Sequence, residues 1–253
     1  MDDVDVNPFL EESRPEAAPR NLRDLSLPES MKMLVLAPHP DDFDAIGVTL
    51  KYWHERGLSL HVAVADTSSG IEDTYRGGLS KLERTQWRRT EQQESIRFFG
   101  LDDKALIFLS LKNGDSDQVC DDPANLGVIA NMIAQHEPDI IFLPHGNDSN
   151  SAHRAMYSLV RQGGVRSGRR VRLMLNRDAK TASMRTDWYM PFGRDEAEWK
   201  ARLLRFHDSQ QQRNLNQRGH GFDERVLGLN RQIAEELGVD VPYAESFELE
   251  LLG

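Results

Sequence analysis

Met31 to Gly47 reads MKMLVLAPHPDDFDAIG, an apolar run that stops at Pro38-His39-Pro40-Asp41-Asp42. His39 and Asp42 stand three residues apart at the mouth of what reads as a buried strand, a spacing that can bring an imidazole and a carboxylate to one point. Hydrolytic zinc centres use three protein ligands of these types and keep one position for a water, whose pKa falls to roughly 7. His153, in HGNDSNSAH after another apolar run, could supply the third ligand. Asp41, beside the ligand pair, would then be free to take the water's proton. The same residues have a plainer use: Asp41 and Asp42 suit the N-cap of a helix from Phe43, and Asn147, Asp148, Ser149 and Asn150 are common turn residues.

The elements that must position these residues alternate regularly. MLVLA, LSLHVAVAD, ALIFLS, PDIIFLP and RRVRLMLN read as strands. Between them, FDAIGVTLKYWHERG, KLERTQWRRTEQQESIRFFG, LGVIANMIAQHE and HRAMYSLVRQGG read as helices, the first two stopping at Gly57 and Gly100. Nearly continuous apolar strands joined by helical crossovers predict an α/β fold, a doubly wound, mostly parallel sheet flanked by helices in the Rossmann-like manner. Ligands of such sheets sit beyond the carboxyl ends of the strands, where both His/Asp clusters fall. After Asn176 the pattern predicts an extended SMRTDWYM, one long helix DEAEWKARLLRFHDSQQQRNL and another in DERVLGLNRQIAEELG, a C-terminal helical elaboration. Residues 31–253 therefore read as a single domain. Residues 1–30 read as an acidic, Pro-containing arm, suited to lie on its own domain or to be exchanged within a homo-oligomer.

Composition narrows the partners. With 31 basic and 41 acidic residues the net charge is −10, which gives no general attraction for nucleic acid or an anionic membrane. No apolar run approaches the roughly 20 residues that span a bilayer, and the first residues lack the basic and apolar regions of a signal peptide. A lone cysteine, Cys120, fits a reducing compartment, so the expected location is cytoplasmic. No G-x-G-x-x-G follows the first strand, which argues against a dinucleotide site, and a two-metal phosphoesterase would need more ligands than the strand ends offer.

LAPHPDDFDAIGVTLKYWHERG followed by VAVADTSSG resembles the opening of the LmbE / PIG-L family of zinc-dependent N-deacetylases. WRRTEQQESIRFFGL, PDIIFLPHGNDSNSAHRAMYSLV, KARLLRFHDSQ and YAESFEL are similar to later segments of that family, so the likeness runs over roughly residues 31–250. The resemblance implies His39, Asp42 and His153 as zinc ligands and Asp41 as the general base. It implies hydrolysis of the amide of a small N-acylated amino sugar, such as an N-acetylglucosamine conjugate, with release of acetate or a similar acid. A mixed N/O donor set also accepts Fe2+ or another divalent ion.

Three positions depart from the family pattern. Its Glu after the two aspartates is Phe43, only Gly47 stands for its paired glycines, and its His-Pro-Asp-His is Asn150-Ser151-Ala152-His153. Asn150 can donate a hydrogen bond to a developing oxyanion but cannot shuttle a proton, so His145 and His207 become candidates for proton delivery. Arg88 or Arg89 could bind a substrate oxygen, and Asp66 a sugar hydroxyl. The alternative is a noncatalytic member that binds a sugar or a partner protein through the same metal site.

Overall fold

The computed structural model describes residues 18–65, 67–68, 70–114 and 118–252. The expectations for Asp66 and for residues 1–17 of the arm lie outside the described residues. An eight-stranded sheet forms the centre, built from β1 (Arg20–Asn21), β2 (Lys32–Ala37), β3 (Ser59–Ala65), β4 (Leu106–Leu109), β5 (Ile140–Pro144), β6 (Val171–Asn176), β7 (Trp188–Phe192) and β8 (Tyr243–Leu252). Its helices are α1 (Gly47–His54), α2 (Lys81–Phe99), α3 (Pro123–His136), α4 (Ser151–Ser167), α5 (Arg194–Leu204), α6 (Asp208–Arg218) and α7 (Phe222–Leu237).

The strand order is β1-β7-β8-β6-β5-β2-β3-β4. The β6-β5-β2-β3-β4 part is parallel throughout. β2 is buried on both faces because both are covered. Met33, Val35 and Ala37 join a core with residues of α1, α2 and α5, while Leu34 and Leu36 join another with α3 and α4. From β2 the chain moves outward to β3 and β4, then returns to place β5 on the other side of β2. The crevice between the carboxyl ends of β2 and β5 is thus the switch point of the sheet, the position where such folds bind ligands.

Three expectations about local structure change. The helix expected from Phe43 opens with a 3-10 turn, Asp44–Ile46, and becomes α-helical only at Gly47. Gly47 is where α1 meets α5: a Cβ there would lie 2.7 Å from Leu203 Cδ2. α3 begins earlier than expected, at Pro123, because Asp122 caps it by accepting from the Ala124 N–H at 2.8 Å and proline suits the first helical position. The long C-terminal helix is two helices, α5 and α6, broken at Arg205–His207.

The C-terminal part also extends the sheet. β8 runs antiparallel to both β6 and β7, and Arg20–Asn21 pair in parallel with β7. Leu22 is fully buried in the core beneath them. Among the described residues no helix is long and apolar enough to cross a membrane.

Candidate active site

β2 ends at Ala37 and the chain turns sharply, with the Asp42 N–H donating to the His39 carbonyl at 3.3 Å. The turn folds Asp42 back on His39: Asp42 Oδ2 accepts from the His39 backbone N–H at 2.8 Å and lies 3.2 Å from Nδ1. Asp42 is therefore not a helix cap, and Phe43, at the cap position, makes no side-chain capping bond. From the β5 side, α4 carries His153 on its first turn, 3% exposed, with Nε2 3.5 Å from Asp42 Oδ1. One donor atom from each of His39, Asp42 and His153 lies within 4.8 Å of the others. Two imidazoles and a carboxylate gathered in this way could hold a divalent metal ion. Asp148 backs His153, its Oδ2 3.2 Å from Nδ1, as carboxylates do behind metal-ligating histidines. With Asp178 these two residues form a second cluster that shares His153.

The electrostatics follow from burial. Burial alone would raise the Asp42 carboxyl, but the charges and hydrogen bonds of His153 and His39 outweigh it and hold the group well below the usual range. Burial likewise opposes the His153 cation, yet Asp42 and Asp148 push its pKa up to about 10. Asp41 goes the other way: burial raises its pKa, against the pull of Arg88.

Asp41 is held from behind by α2. Arg88, 1% exposed, donates from Nη2 to Asp41 Oδ1 at 3.0 Å and also to the Pro40 carbonyl. The Asp41 N–H donates to Gln92 Oε1 at 3.1 Å. Arg88 is fixed in turn by Glu91, which accepts from the backbone N–H and hydroxyl of Ser209 at the start of α6. Gln92 Nε2 donates to Asp44 Oδ2, which also takes His207 Nε2 at 2.7 Å. Asp41 itself has φ +121°, a backbone region that a non-glycine residue occupies only under constraint.

These side chains open onto a cavity of about 340 Å³ lined by His39, Asp41, Asp42, Arg88, Asn150 and His153 among others. Asn150 caps α4 with Oδ1, which accepts from the Ala152 N–H at 3.0 Å, so its NH2 is the end left for the cavity. His145 and His207 do not line the cavity. His145 Nδ1 accepts from the Asn147 N–H at 3.0 Å and Nε2 faces Glu248 at 3.5 Å, while His207 is fully buried on Asp44. Arg89 points elsewhere, over the Phe108 ring. Sequence reasoning missed Asp44, Glu91, Gln92 and Gln118, whose Oε1 lies 2.9 Å from His39 Nε2. The carboxylate next to Phe43 was the one available signal, since Asp44 follows directly where the family pattern has Glu.

The profile of the family described as PIG-L, GlcNAc-PI de-N-acetylase, matches residues 34–163, just over half of the chain. The chain belongs to the PIG-L family. That match contains every residue of the His39–Asp42–His153 centre and the α2 segment behind it. Among curated proteins no sequence matches significantly. Among solved structures, this PIG-L member is similar to N,N'-diacetylchitobiose deacetylase from Pyrococcus horikoshii, with 20% identity, a TM-score of 0.71, and coverage of 87% of this chain and 84% of that one. It is also similar to the A40926 pseudoaglycone deacetylase (16% identity, TM-score 0.63, 86% of this chain and 96% of that one). A third neighbour is 4-carboxy-2-hydroxymuconate hydratase from Pseudomonas putida KT2440 (16%, 0.63, 87% and 95%). At these identities the likeness establishes the fold, and because one neighbour is a hydratase, the reaction has to be argued from the site.

Proposed function

We propose that this PIG-L member is a metal-dependent hydrolase that removes an acetyl or similar acyl group from the amine of an amino sugar or amino-sugar conjugate. The observation that carries the reading is Asp41: a strained, partly buried carboxylate of raised pKa on the cavity wall, immediately beside a His-Asp-His donor set. A carboxylate of raised pKa is a better base than an ordinary one and is poised to give its proton back. Zinc, or another divalent ion such as Fe2+, held by His39, Asp42 and His153 would supply Lewis acidity and a water acidic enough to attack at neutral pH.

The chain's own residues account for the remaining steps. Arg88 occupies Asp41 Oδ1, which leaves Oδ2 to accept the proton of the attacking water. As the water oxygen bonds to the amide carbon, the carbonyl oxygen gains negative charge, and the Asn150 NH2 is the side-chain donor left free for it. Cleavage of the C–N bond needs a proton on the departing nitrogen. His145 and His207 lie away from the cavity, so protonated Asp41 is assigned that delivery. The products are a carboxylic acid and a free amine. A cytoplasmic setting belongs to the same reading, since the chain's single thiol suits a reducing compartment.

The test is amine release from a panel of N-acetylated amino sugars by zinc-loaded protein, with Asp41→Asn alongside. Release by the wild type with a loss of about 10²-fold or more in the variant is the size expected for a general base. A protein that holds one metal per chain yet releases no amine from any panel member would favour the noncatalytic sugar-binding alternative.

A further inference from the structure

At the end of the sheet away from the cavity, two histidines face each other. His61 is the third residue of β3, on the face that carries Ala63 and Ala65 against α3, and His136 is the last residue of α3. Their ring centroids are 4.7 Å apart and the ring planes are inclined by 55°. Both side chains are partly buried, and among the described residues neither ring has a hydrogen-bond partner. His136 Nε2 is shut off from solvent as well, a buried polar atom left unpaired among the described residues. The pair is the exception in this chain. Of its other histidines, His39, His145, His153 and His207 each face a carboxylate, and His54 and His220 each face a backbone carbonyl.

Leaving a buried ring nitrogen unpaired is costly, and packing of one ring on the other does not satisfy it. A shared ion does. Metal–nitrogen bonds of roughly 2.1 Å set two imidazoles on one tetrahedral ion with their centroids about 5 Å apart, which is close to the separation of this pair. The ligating form of histidine is the neutral ring. Burial, His61 and Lys32 together hold the pKa of His136 below its ordinary value, so the ring is neutral at neutral pH. Lys32 is itself met by Glu137 at 3.6 Å. The carboxyl end of α3, the negative end of the helix dipole, favours a cation here. Imidazole donors suit Zn2+, Cu2+ and Ni2+, whereas Mg2+ and Ca2+ prefer oxygen.

We infer that His61 and His136 form a second site for a divalent transition-metal ion, which clips β3 to the end of α3. The site lies outside the deacylase reading and does not depend on it. In the sheet register His61 pairs with Leu34 of β2, and His39 follows five residues after Leu34. At roughly 3.3 Å per residue the two centres are on the order of 15–20 Å apart, so the clip touches no ligand in the cavity. It has two protein ligands, with water completing the shell, and therefore fills after the three-ligand centre.

Metal counting tests this without turnover. The full chain and its His61→Gln, His136→Gln and His54→Gln variants are dialysed to saturation against Zn2+, and bound zinc is measured per chain by elemental analysis. His61→Gln and His136→Gln should each hold one zinc fewer than the wild type, and His54→Gln, whose ring faces the Leu58 carbonyl, should hold as many as the wild type. Neither ring of the pair bonds another described group, so the fold should persist in both variants, and circular dichroism checks it. A second measurement needs no variant. With Cu2+ in place of Zn2+, pulsed electron paramagnetic resonance should show two ions on the order of 15–20 Å apart. A zinc count that is equal in the wild type and in either variant of the pair, or a loss shared by His54→Gln, overturns the inference. Two copper ions much closer together overturn it too, because they would place the second ion on the Asp148–His153–Asp178 cluster, which shares His153 with the first.

Discussion

Asp41 is the residue at which function and stability pull in different directions. At φ +121° its Cβ is crowded by its own backbone, and the conformation survives because Asp41 is bonded on several sides. Arg88 holds the side chain, Gln92 accepts from the amide, and the Asp44 and Ala45 N–H groups donate to the carbonyl. Glycine occupies this region freely, whereas alanine suffers the same crowding as aspartate. Asp41→Gly and Asp41→Ala both delete the carboxylate, so their difference isolates the backbone. Asp41→Gly should be the more stable by about 1–2 kcal/mol in urea unfolding, reversing the order seen at ordinary positions. A glycine variant no more stable than the alanine one would mean the turn is unstrained. The ligand-type residues at this scale were legible because their identities and spacing are local: His39 and Asp42 are three apart and His153 follows another strand. Their supports were not, because such partners are chosen by tertiary contact. Asp44 and His207 are 163 residues apart, and Glu91 and Ser209 are separated by 118.

Among elements, four of the five parallel strands were readable because burial on both faces makes each a nearly continuous apolar run, and the edge strand β4, only partly buried over Leu106–Phe108, is apolar all the same. The break between α5 and α6 was not, since no Gly or Pro marks it and Arg205-Phe206-His207 joins two runs that each read as helix. Its reason lies in what the break places: His207 against Asp44, and Ser209 against Glu91. The same break thus ties both residues next to Asp41, through Gln92 and Arg88, to the C-terminal helices. His207 faces the charges of Asp44, Asp41 and Arg88; burial disfavours its cation, but Asp44 outweighs this and raises the pKa above 6.5. Nδ1 has no partner among the described residues, so the proton balance rests on Nε2. Above pH 6.5 the folded state then keeps a proton that the unfolded chain has lost, and stability falls as pH rises through the folded pKa. His207→Gln removes this term. The stability difference between wild type and His207→Gln should be on the order of 2 kcal/mol near pH 6 and shrink steadily towards pH 9, measured by urea unfolding at each pH. A gap independent of pH would show that His207 is neutral in the fold.

Across the whole molecule, one buried ion pair joins the site to the last strand. Lys200 of α5 and Glu245 of β8 are both almost fully buried and 2.7 Å apart. Lys200 also donates to the Ala45 carbonyl at 2.6 Å and to Asn230 Oδ1 of α7 at 2.8 Å. Glu245 accepts from the Val48 and Thr49 N–H groups, which are the first unpaired donors of α1, and from the Thr49 hydroxyl. A carboxylate from the far end of the chain therefore stands where a helix would ordinarily carry its own cap, a bond that the hydrocarbon side chain of Ile46 has no atom to make. The arrangement anchors the turn that carries Asp41 and Asp42 to α5, α7 and β8 at once. Burying two charges is costly, and the pair is stabilising only while both partners are present. Burial already lowers the pKa of Lys200 despite Glu245 beside it, the mark of a charge held at some expense. Lys200→Met should destabilise the protein by about 3–5 kcal/mol, because it leaves Glu245 buried and uncompensated. Replacing both, as Lys200→Met with Glu245→Leu, removes the stranded charge but also the cap of α1, so it should recover part of the loss and not all of it. Equilibrium urea unfolding of the two variants checks this. A loss below about 1 kcal/mol in Lys200→Met would mean that water reaches the pair and that α1 is held by its apolar packing alone.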